Sequence, residues 1–251
     1  MKRIITLTSD FGLVDHYVGS MKGVVLGINP DSKIVDITHE IPKYDIIKAA
    51  LVVRNFYKYF PKDSIHVVVV DPGVGTERKP LIVETEQGTF VGPDNGVFSF
   101  IMEESGSVFE ITNGEFMLED LSSTFHGRDI FAPIAAHLSL GLGVNDLGEI
   151  LSSPILLDIG KPQILDNEII GEIIYDDSFG NLVTNIPGDI LKHTSKIDLD
   201  GVFINSVSSS YQDATKGELL AIVGSSGLLE ISVNQGSASE LIKSHKITVI
   251  K

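Results

Sequence analysis

The first part of the chain alternates short apolar runs with segments of helical periodicity. Apolar residues recur at helical spacing over residues 15–28 and 45–60, and again in the segment "RDIFAPIAAHLSLGL". Three apolar runs, one before the first helix and two between the helices, predict strands, namely "RIITLTS", "KIVDIT" and "IHVVVV". The third run is continuous rather than alternating, which is typical of a strand buried on both faces of a parallel sheet. A hairpin turning at Gly88 is predicted to follow it.

The pattern changes near residue 155. Beyond it lie short β-rich segments separated by Gly, Asn, Ser and Asp, with no long helical pattern between them. This spacing is typical of a small antiparallel barrel or sandwich. We therefore predict an α/β domain over residues 1–155, with a central, mostly parallel sheet and flanking helices. A linker over residues 156–164 and a smaller all-β barrel over residues 165–251 complete the prediction.

Composition narrows the classes of partner and site. The 251 residues carry a net charge of −15, which disfavours binding to nucleic acid and to anionic membrane surfaces. There are no cysteines, so disulfides, cysteine-ligated zinc and thiol nucleophiles are excluded. The N-terminal segment reaches polar residues too early for a signal peptide, and no apolar run is long enough to cross a bilayer. We expect a cytoplasmic protein.

Polar residues gather where the predicted strands end. Ligands of open α/β sheets bind beyond the carboxyl ends of the strands, and Asp10 and Asp71 follow two of them. The segment "VGPDNG" adds Asp94 and Asn95, and "FHGRD" places His126 at the start of a helix. Each residue also suits a structural role, because Asp and Asn form turns and an acidic residue stabilises a helix N-terminus.

Several common sites are disfavoured. No pair of histidines has the spacing of metal ligands, so we predict neither a metal nor a cofactor. The fingerprint of dinucleotide-binding folds is missing, and "VGSSGLL" only partly resembles the nucleophile turn of serine hydrolases. In the second half, "YDDSFGNLVTNI" places carboxylates, an aromatic ring and an amide in one loop, which suits either a β-turn or a recognition loop.

Six motifs in order resemble one family across almost the whole chain. They are "TSDFG", "DPGVGT", "VGPDNG", "FHGRDIFAP", "DDSFGNLVTNI" and "GSSGLLEI". Together they resemble the S-adenosylmethionine hydrolases, also called S-adenosylmethionine hydroxide adenosyltransferases, which are relatives of fluorinating and chlorinating enzymes. The resemblance implies hydrolysis of S-adenosylmethionine at ribose C5′ to adenosine and L-methionine. It also implies a homotrimer with its active sites between subunits.

The resemblance also assigns residues. It implies a catalytic set of Asp71, Arg78 and His126, which the halogenating relatives lack in this combination. Substrate contacts are implied for six further residues: Asp10 at the ribose diol, Tyr44 in the pocket wall, Asp176 and Asn181 at the methionine part, Phe179 near the purine, and Ser225. Ser226 and Gln235 differ from the halogenating enzymes and receive no role.

The chemistry of the implied reaction suggests how the catalytic set works. The sulfonium leaves as a neutral thioether, so the difficulty lies in orienting and deprotonating water. We expect Asp71 and His126 to flank that water, and Arg78 to keep Asp71 ionised, since a guanidinium is a poor base. The sequence leaves the proton acceptor open. Halide-dependent adenosyl transfer, a non-catalytic nucleoside-binding protein and a metal phosphohydrolase remain alternatives.

Overall fold

The computed structural model describes residues 3–104, 106–191, 194 and 196–251. The chain forms two compact units, Met1–Leu157 and Asp158–Lys251. Among the described residues, no helix combines the length and the apolarity needed to cross a membrane.

The first unit is an α/β structure, as predicted. Its strands are β1 (Ile4–Ser9), β2 (Lys33–Thr38), β3 (Ile65–Val69), β4 (Pro80–Thr85), β5 (Gly88–Pro93), β6 (Ser107–Ile111) and β7 (Gly148–Ile150). Its helices are α1 (Tyr17–Ile28), α2 (Ile46–Phe56), α3 (Ser99–Glu104), α4 (Ala132–Ser139) and α5 (Val144–Leu147). The strands form one sheet in the order β2-β1-β3-β5-β4-β6-β7, and all of them except β4 and β7 run in the same direction.

The valine run forms the centre of this sheet. Alternate residues of β3 enter two separate cores, with Val67 and Val69 on one face and Val68 on the other. Helices α1 and α4 cover the first face, and helices α2 and α3 cover the second. Because β3 is buried on both faces, apolar residues occupy every position of it except His66, which explains the nearly continuous apolar run.

The helices begin and end close to their predicted bounds, with two differences. Asp45 caps α2 by accepting a hydrogen bond from the backbone N–H of Lys48 at 2.8 Å, and α2 ends at Phe56. A 3₁₀ turn, Tyr57–Tyr59, follows it, so the predicted helix to residue 60 is only partly α-helical. A π-helical turn, Gly127–Phe131, precedes α4. π-Helical turns are rare and occur often at functional sites.

The second unit is all-β apart from short helical turns, as predicted. Its strands and helix are β8 (Gln163–Ile164), β9 (Glu168–Asp176), β10 (Leu182–Pro187), β11 (Lys196–Leu199), β12 (Val202–Ile204), β13 (Val207–Ser208), β14 (Leu219–Val223), β15 (Leu228–Val233), α6 (Ala238–Leu241) and β16 (Lys246–Ile250). The main path through the sheet is β12-β11-β16-β9-β10-β15-β14-β13, and β12 also approaches β14. The sheet therefore curls into a nearly closed barrel around one apolar core.

Candidate functional site

Two predicted site residues lie together at the carboxyl edge of the first sheet. Strand β1 pairs in parallel with β3, with Ser9 opposite Val69. Asp10 follows β1, and Asp71 lies just beyond the end of β3. The parallel pairing thus brings the two carboxylates to the same edge of the sheet.

The predicted catalytic residues form one hydrogen-bonded set. Arg78 binds Asp71 through two hydrogen bonds, from Nε to Oδ1 at 3.1 Å and from Nη2 to Oδ2 at 2.5 Å. Nη2 also lies 2.9 Å from Nδ1 of His126. The side chains of Asp71 and Arg78 are only 5% and 6% exposed, so the pair is held away from bulk water. The guanidinium also lies over the ring of Phe131 at 5.3 Å.

The contact with Arg78 determines which nitrogen of His126 carries the proton. A guanidinium only donates hydrogen bonds, so Nδ1 has to accept. In the neutral ring the proton therefore lies on Nε2. Burial lowers the pKa of His126, and the positive charge of Arg78 lowers it further, against the opposing effects of Asp71 and Asp129. His126 is consequently neutral at pH 7, with Nε2 as a donor.

The loop between Asp71 and Arg78 depends on two glycines. Gly75 has a φ of +75°, and a Cβ there would lie 2.1 Å from the carbonyl oxygen of Ser123. A Cβ on Gly73 would lie 3.3 Å from Cβ of Arg78. The first position therefore requires glycine, and the second lets the backbone fold closely against the arginine.

The segment that carries His126 is fixed by close packing. A Cβ on Gly127 would lie 3.2 Å from a methyl group of Val69 and 3.3 Å from the sulfur of Met21. Asp129, which is fully buried, accepts hydrogen bonds from the backbone of Ser122 at 2.8 Å and from Nε of Arg128 at 2.5 Å. The start of the π-helical turn is thus held against the core, which sets the position of the imidazole.

A second loop holds Asp10. The backbone N–H of Tyr44 donates to Oδ2 of Asp10 at 2.9 Å, and the ammonium of Lys43 donates to its backbone carbonyl. Tyr44 adopts a φ of +66°, which is uncommon for a residue other than glycine. Oδ1 of Asp10 accepts no hydrogen bond from the described residues, so it can still accept one from a hydroxyl group of a ligand.

These residues line one cleft of about 310 Å³ in the first unit. Asp10, Tyr44, Asp71 and His126 contribute polar groups to it, and Arg78 lies behind Asp71. Three rings in mutual contact form an apolar wall, with centroid distances of 5.4 Å for Phe11–Tyr17, 5.7 Å for Phe11–Phe125 and 5.1 Å for Tyr17–Phe125. The cleft can hold a flat or sugar-sized group against the rings, beside two carboxylates.

The remaining predicted contacts lie in the second unit, where they are distributed over two pockets and a turn. Phe179 and Asn181 line a pocket of about 400 Å³ that also contains Tyr211 and Gln235. Asp176 lines a different groove of about 310 Å³. Ser225 is exposed in the turn between β14 and β15. The structure thus places these four residues at three positions on the barrel.

The sequence prediction missed several lining residues. In the first unit these are Lys43 and the three rings of Phe11, Tyr17 and Phe125, and in the second they are Tyr211 and Gln235. Phe11 and Phe125 each adjoin a residue that was predicted, Asp10 and His126 respectively, and this adjacency was the available signal. Tyr211 lies in a segment without a motif, so the sequence offered no signal for it.

Asp177 organises the recognition loop. Its carboxylate accepts hydrogen bonds from the backbone of Phe179 at 2.8 Å and of Asn181 at 3.0 Å, and from Nδ2 of Asn181 at 2.9 Å. The loop is therefore an Asp-stabilised turn that presents the ring of Phe179, which is 78% exposed. Both interpretations of this segment, turn and recognition loop, remain compatible with the structure.

No metal centre is evident in the part of the chain that the structure describes. Among those residues, no three His, Asp or Glu side chains are grouped so that they could hold a metal ion. The positively charged guanidinium of Arg78 lies in contact with both Asp71 and His126.

Comparison with known proteins identifies the family. The profile of the SAM hydroxide adenosyltransferase N-terminal domain matches residues 5–148, and that of the C-terminal domain matches residues 171–250. A protein of Methanocaldococcus jannaschii named (R)-S-adenosyl-L-methionine hydrolase is 37% identical, over 95% of this chain and 91% of its own. A fluorinase of an Actinoplanes species is 25% identical, over 92% of this chain and 91% of its own.

A solved structure extends the similarity to the fold. The crystal structure of an uncharacterized conserved protein from Thermotoga maritima matches 99% of this chain and 100% of its own, with a TM-score of 0.91 and 40% identity. The resemblance inferred from the six motifs is confirmed. This chain belongs to the SAM hydroxide adenosyltransferase family.

Proposed function

We propose that this chain hydrolyses S-adenosylmethionine at C5′ of the ribose, giving adenosine and L-methionine. The observation that carries the proposal is the set of Asp71, Arg78 and His126, joined by hydrogen bonds at one end of a cleft that also contains Asp10. The name of the Methanocaldococcus jannaschii relative, a hydrolase of this substrate, supports it.

The reaction requires a water molecule oriented for attack, and it requires no general acid for the leaving group. Water attacks C5′ in line with the C5′–S bond, which breaks with both electrons moving to sulfur. The sulfonium becomes a neutral thioether, so the leaving group takes no proton. Positioning the water in the cleft removes much of the entropic cost, and a base within hydrogen-bond reach contributes about 10²–10⁴-fold.

The hydrogen bonds of Arg78 favour Asp71 as the proton acceptor. Nδ1 of His126 already accepts from Arg78, so the neutral imidazole offers the water a donor at Nε2 rather than a second base. Arg78 has no lone pair to accept a proton. The carboxylate of Asp71 remains as the candidate proton acceptor, since each of its oxygens can accept a second hydrogen bond. We therefore propose Asp71 as the proton acceptor, a choice that the sequence left open among Asp71, Arg78 and His126.

The proposed substrate contacts follow the resemblance. Asp10 binds the ribose diol through its open oxygen, and Tyr44 lies beside the sugar. In the second unit, Asp176 and Asn181 contact the methionine part, Phe179 lies near the purine, and Ser225 makes a further substrate contact. Exposure of Phe179 supports a role in stacking, because an exposed ring is free to pack against a base.

The names of the relatives suggest which configuration at sulfur the substrate has. The relatives named as hydrolases, those of Salinispora tropica and Methanocaldococcus jannaschii among them, have names that specify the R epimer. We extend the proposal to (R)-S-adenosyl-L-methionine as the preferred substrate. Each epimer should be supplied separately and the products chromatographed; adenosine from the R epimer is expected, and adenosine from neither would overturn the proposal.

The same experiment separates the alternatives. Fluorinases are more distant relatives, and halide transfer would yield a 5′-halo-adenosine when chloride or fluoride is added. A binding protein would retain the substrate stoichiometrically without converting it. The intact catalytic set favours water as the nucleophile, because a halide needs no base.

We also propose a cytoplasmic homotrimer whose active sites lie between subunits. The family resemblance supports the assembly, and so does the exposure of Leu13 and Val14 close to the cleft residue Phe11, at 67% and 98%. A permanently charged sulfonium crosses membranes poorly, which supports a location where the substrate is made. Sedimentation analysis tests the trimer, and a monomer at micromolar concentration would contradict it.

A further inference from the structure

The turn that follows β5 lies beside the loop that carries Asp71 and Arg78. The backbone pairing of β3 with β5 ends at Val67 and Val91. One residue further, β5 still runs against β3, since a Cβ on Gly92 would lie 2.5 Å from the carbonyl oxygen of Val68. The chain then turns at residues 94–96, and neither the pairing with β5 nor the pairing with β1, which ends at Val69, reaches Val70.

The side chain of Asn95 supplies a hydrogen bond at Val70, where the strand pairing has ended. Its Nδ2 donates to the carbonyl of Val70 at 2.8 Å, and that carbonyl belongs to the peptide bond joining Val70 to Asp71. Its Oδ1 accepts from the backbone N–H of Val97 at 3.2 Å, which closes the turn. Val70 is fully buried, so this peptide group has little alternative in water.

The same turn holds the other end of the loop. The backbone N–H of Asp94 donates to the carbonyl of Lys79 at 2.9 Å, directly after Arg78. Adjacent residues, Asp94 and Asn95, therefore fix the chain just before Asp71 and just after Arg78. Between these two points the loop is held by its own short turns, Val74 to Asp71 at 3.2 Å and Thr76 to Gly73 at 3.2 Å.

We propose that Asn95 is a positioning residue for the hydrolysis, acting through the Val70–Asp71 peptide on the Asp71 carboxylate. This inference rests on the proposed function. Asn95 is not among the residues that line the cleft, so it acts on the reaction only through the backbone. The two-point contact of Arg78 on Asp71 transmits any shift of Asp71 to Arg78, and from there to His126.

The consequence should appear in turnover rather than in binding. Misplacing a catalytic group by about 1 Å costs on the order of 100-fold in rate. Asp10 and Tyr44 are held by a different loop, so the binding of the ribose should not depend on Asn95. Loss of the Asn95 donor should therefore lower kcat by about 10- to 100-fold and leave KM within about twofold.

The chain offers a matched control in Asn113. Its Nδ2 donates to the carbonyl of Asp146 at 2.9 Å, and its Oδ1 accepts from the backbone of Glu115 at 3.1 Å. Asn113 thus makes the same pair of hydrogen bonds in the same unit, outside the set of cleft-lining residues. Asn113→Ala should cost similar stability and leave kcat unchanged.

The experiment compares full-length Asn95→Ala, Asn95→Ser and Asn113→Ala with the wild type, measuring kcat, KM and urea unfolding. The serine variant keeps a hydroxyl to close the turn but cannot reach Val70, so it remains informative if the alanine variant fails to fold. A loss of kcat in both Asn95 variants and not in Asn113→Ala supports the proposal. Equal kcat in the Asn95→Ser and Asn113→Ala proteins would overturn it. If the wild type forms no adenosine, the proposed function fails first and this inference with it.

Discussion

One nitrogen of Arg78 joins the two residues that flank the proposed water. Nη2 donates to Oδ2 of Asp71 at 2.5 Å and approaches Nδ1 of His126 at 2.9 Å. The guanidinium therefore fixes the position of the carboxylate and the tautomer of the imidazole at the same time. This arrangement supports the roles that we propose, with Asp71 as the proton acceptor, His126 as a hydrogen-bond donor to the water and Arg78 as the group that positions both.

Replacing Asp71 by asparagine should remove the proposed base while keeping the shape of the side chain. We expect kcat to fall by at least about 100-fold. The affinity for adenosine, measured by calorimetry, should change little, because the proposed contact to the diol is made by Asp10. Asp36→Asn is a suitable control, since Asp36 pairs with Lys22 at 2.5 Å on the surface of the same unit. Comparable turnover in Asp71→Asn and Asp36→Asn would exclude Asp71 as the base.

The pH dependence of kcat should reflect the neutral form of His126. Burial and Arg78 lower the pKa of this ring, so protonation, which would break the contact with Arg78, requires a pH below the ordinary value of about 6.5. We expect kcat to remain constant from pH 8 down to about 6.5 and to fall only at lower pH. A half-maximal rate at pH 7 or above, attributable to His126, would be inconsistent with this assignment.

A substitution distinguishes a donor from a base at this position. Asparagine at position 126 can accept from Arg78 in place of Nδ1 but has no basic nitrogen. His126→Asn should therefore retain more activity than His126→Ala, by about tenfold, which corresponds to about 1.4 kcal/mol for one hydrogen bond to a charged group. If the two variants are equally inactive, the contact with Arg78 is not what His126 contributes.

Replacing Tyr44 should increase the stability of the protein and weaken its binding of substrate. Its φ of +66° is unfavourable for tyrosine and is tolerated by asparagine, and the side chain is 68% exposed. Tyr44→Asn should raise the free energy of unfolding by about 0.5–1 kcal/mol and raise KM. Tyr59, which is 83% exposed and has a negative φ, provides the control. A gain in stability for Tyr59→Asn as large as for Tyr44→Asn would show that the backbone is not the cause.

His66 should make the first unit less stable in acid. Burial lowers its pKa to about 4 from 6.5. Because the folded state disfavours the protonated ring, its contribution is complete above pH 6.5 and is lost as the pH falls toward 4. The loss should reach about 3 kcal/mol. Urea unfolding between pH 7 and 4 should show a shallower decline for His66→Gln than for the wild type, and parallel declines would contradict the assignment.

The α/β layers were predictable because the polarity of each residue indicates whether its position is buried or exposed. A strand in which every position from Val67 to Val70 is apolar has to be buried on both faces, and such strands occur in parallel sheets. The positions of Asp10 and Asp71 followed from the same pattern, since parallel strands bring their carboxyl ends to one edge. The six motifs added the identity of the family.

Other features depend on distances that no sequence pattern encodes. Tyr44 has a left-handed backbone and donates its N–H to Asp10. A tyrosine in the sequence does not predict a positive φ, so this conformation could not be foreseen. The tautomer of His126 depends on a contact with Arg78, 48 residues away in sequence. The short 3₁₀ end of α2 and the π-helical turn before α4 reflect tertiary packing that overrides helical periodicity.

The source of the oxygen atom in the product shows whether water is the nucleophile. The R epimer of S-adenosylmethionine should be incubated with the protein in water enriched in ¹⁸O, and the products analysed by mass spectrometry. Attack of water at C5′ predicts adenosine that carries one ¹⁸O atom at its 5′-hydroxyl, together with unlabelled L-methionine. Adenosine without the label, or a halide-dependent product in its place, would show that water does not attack C5′.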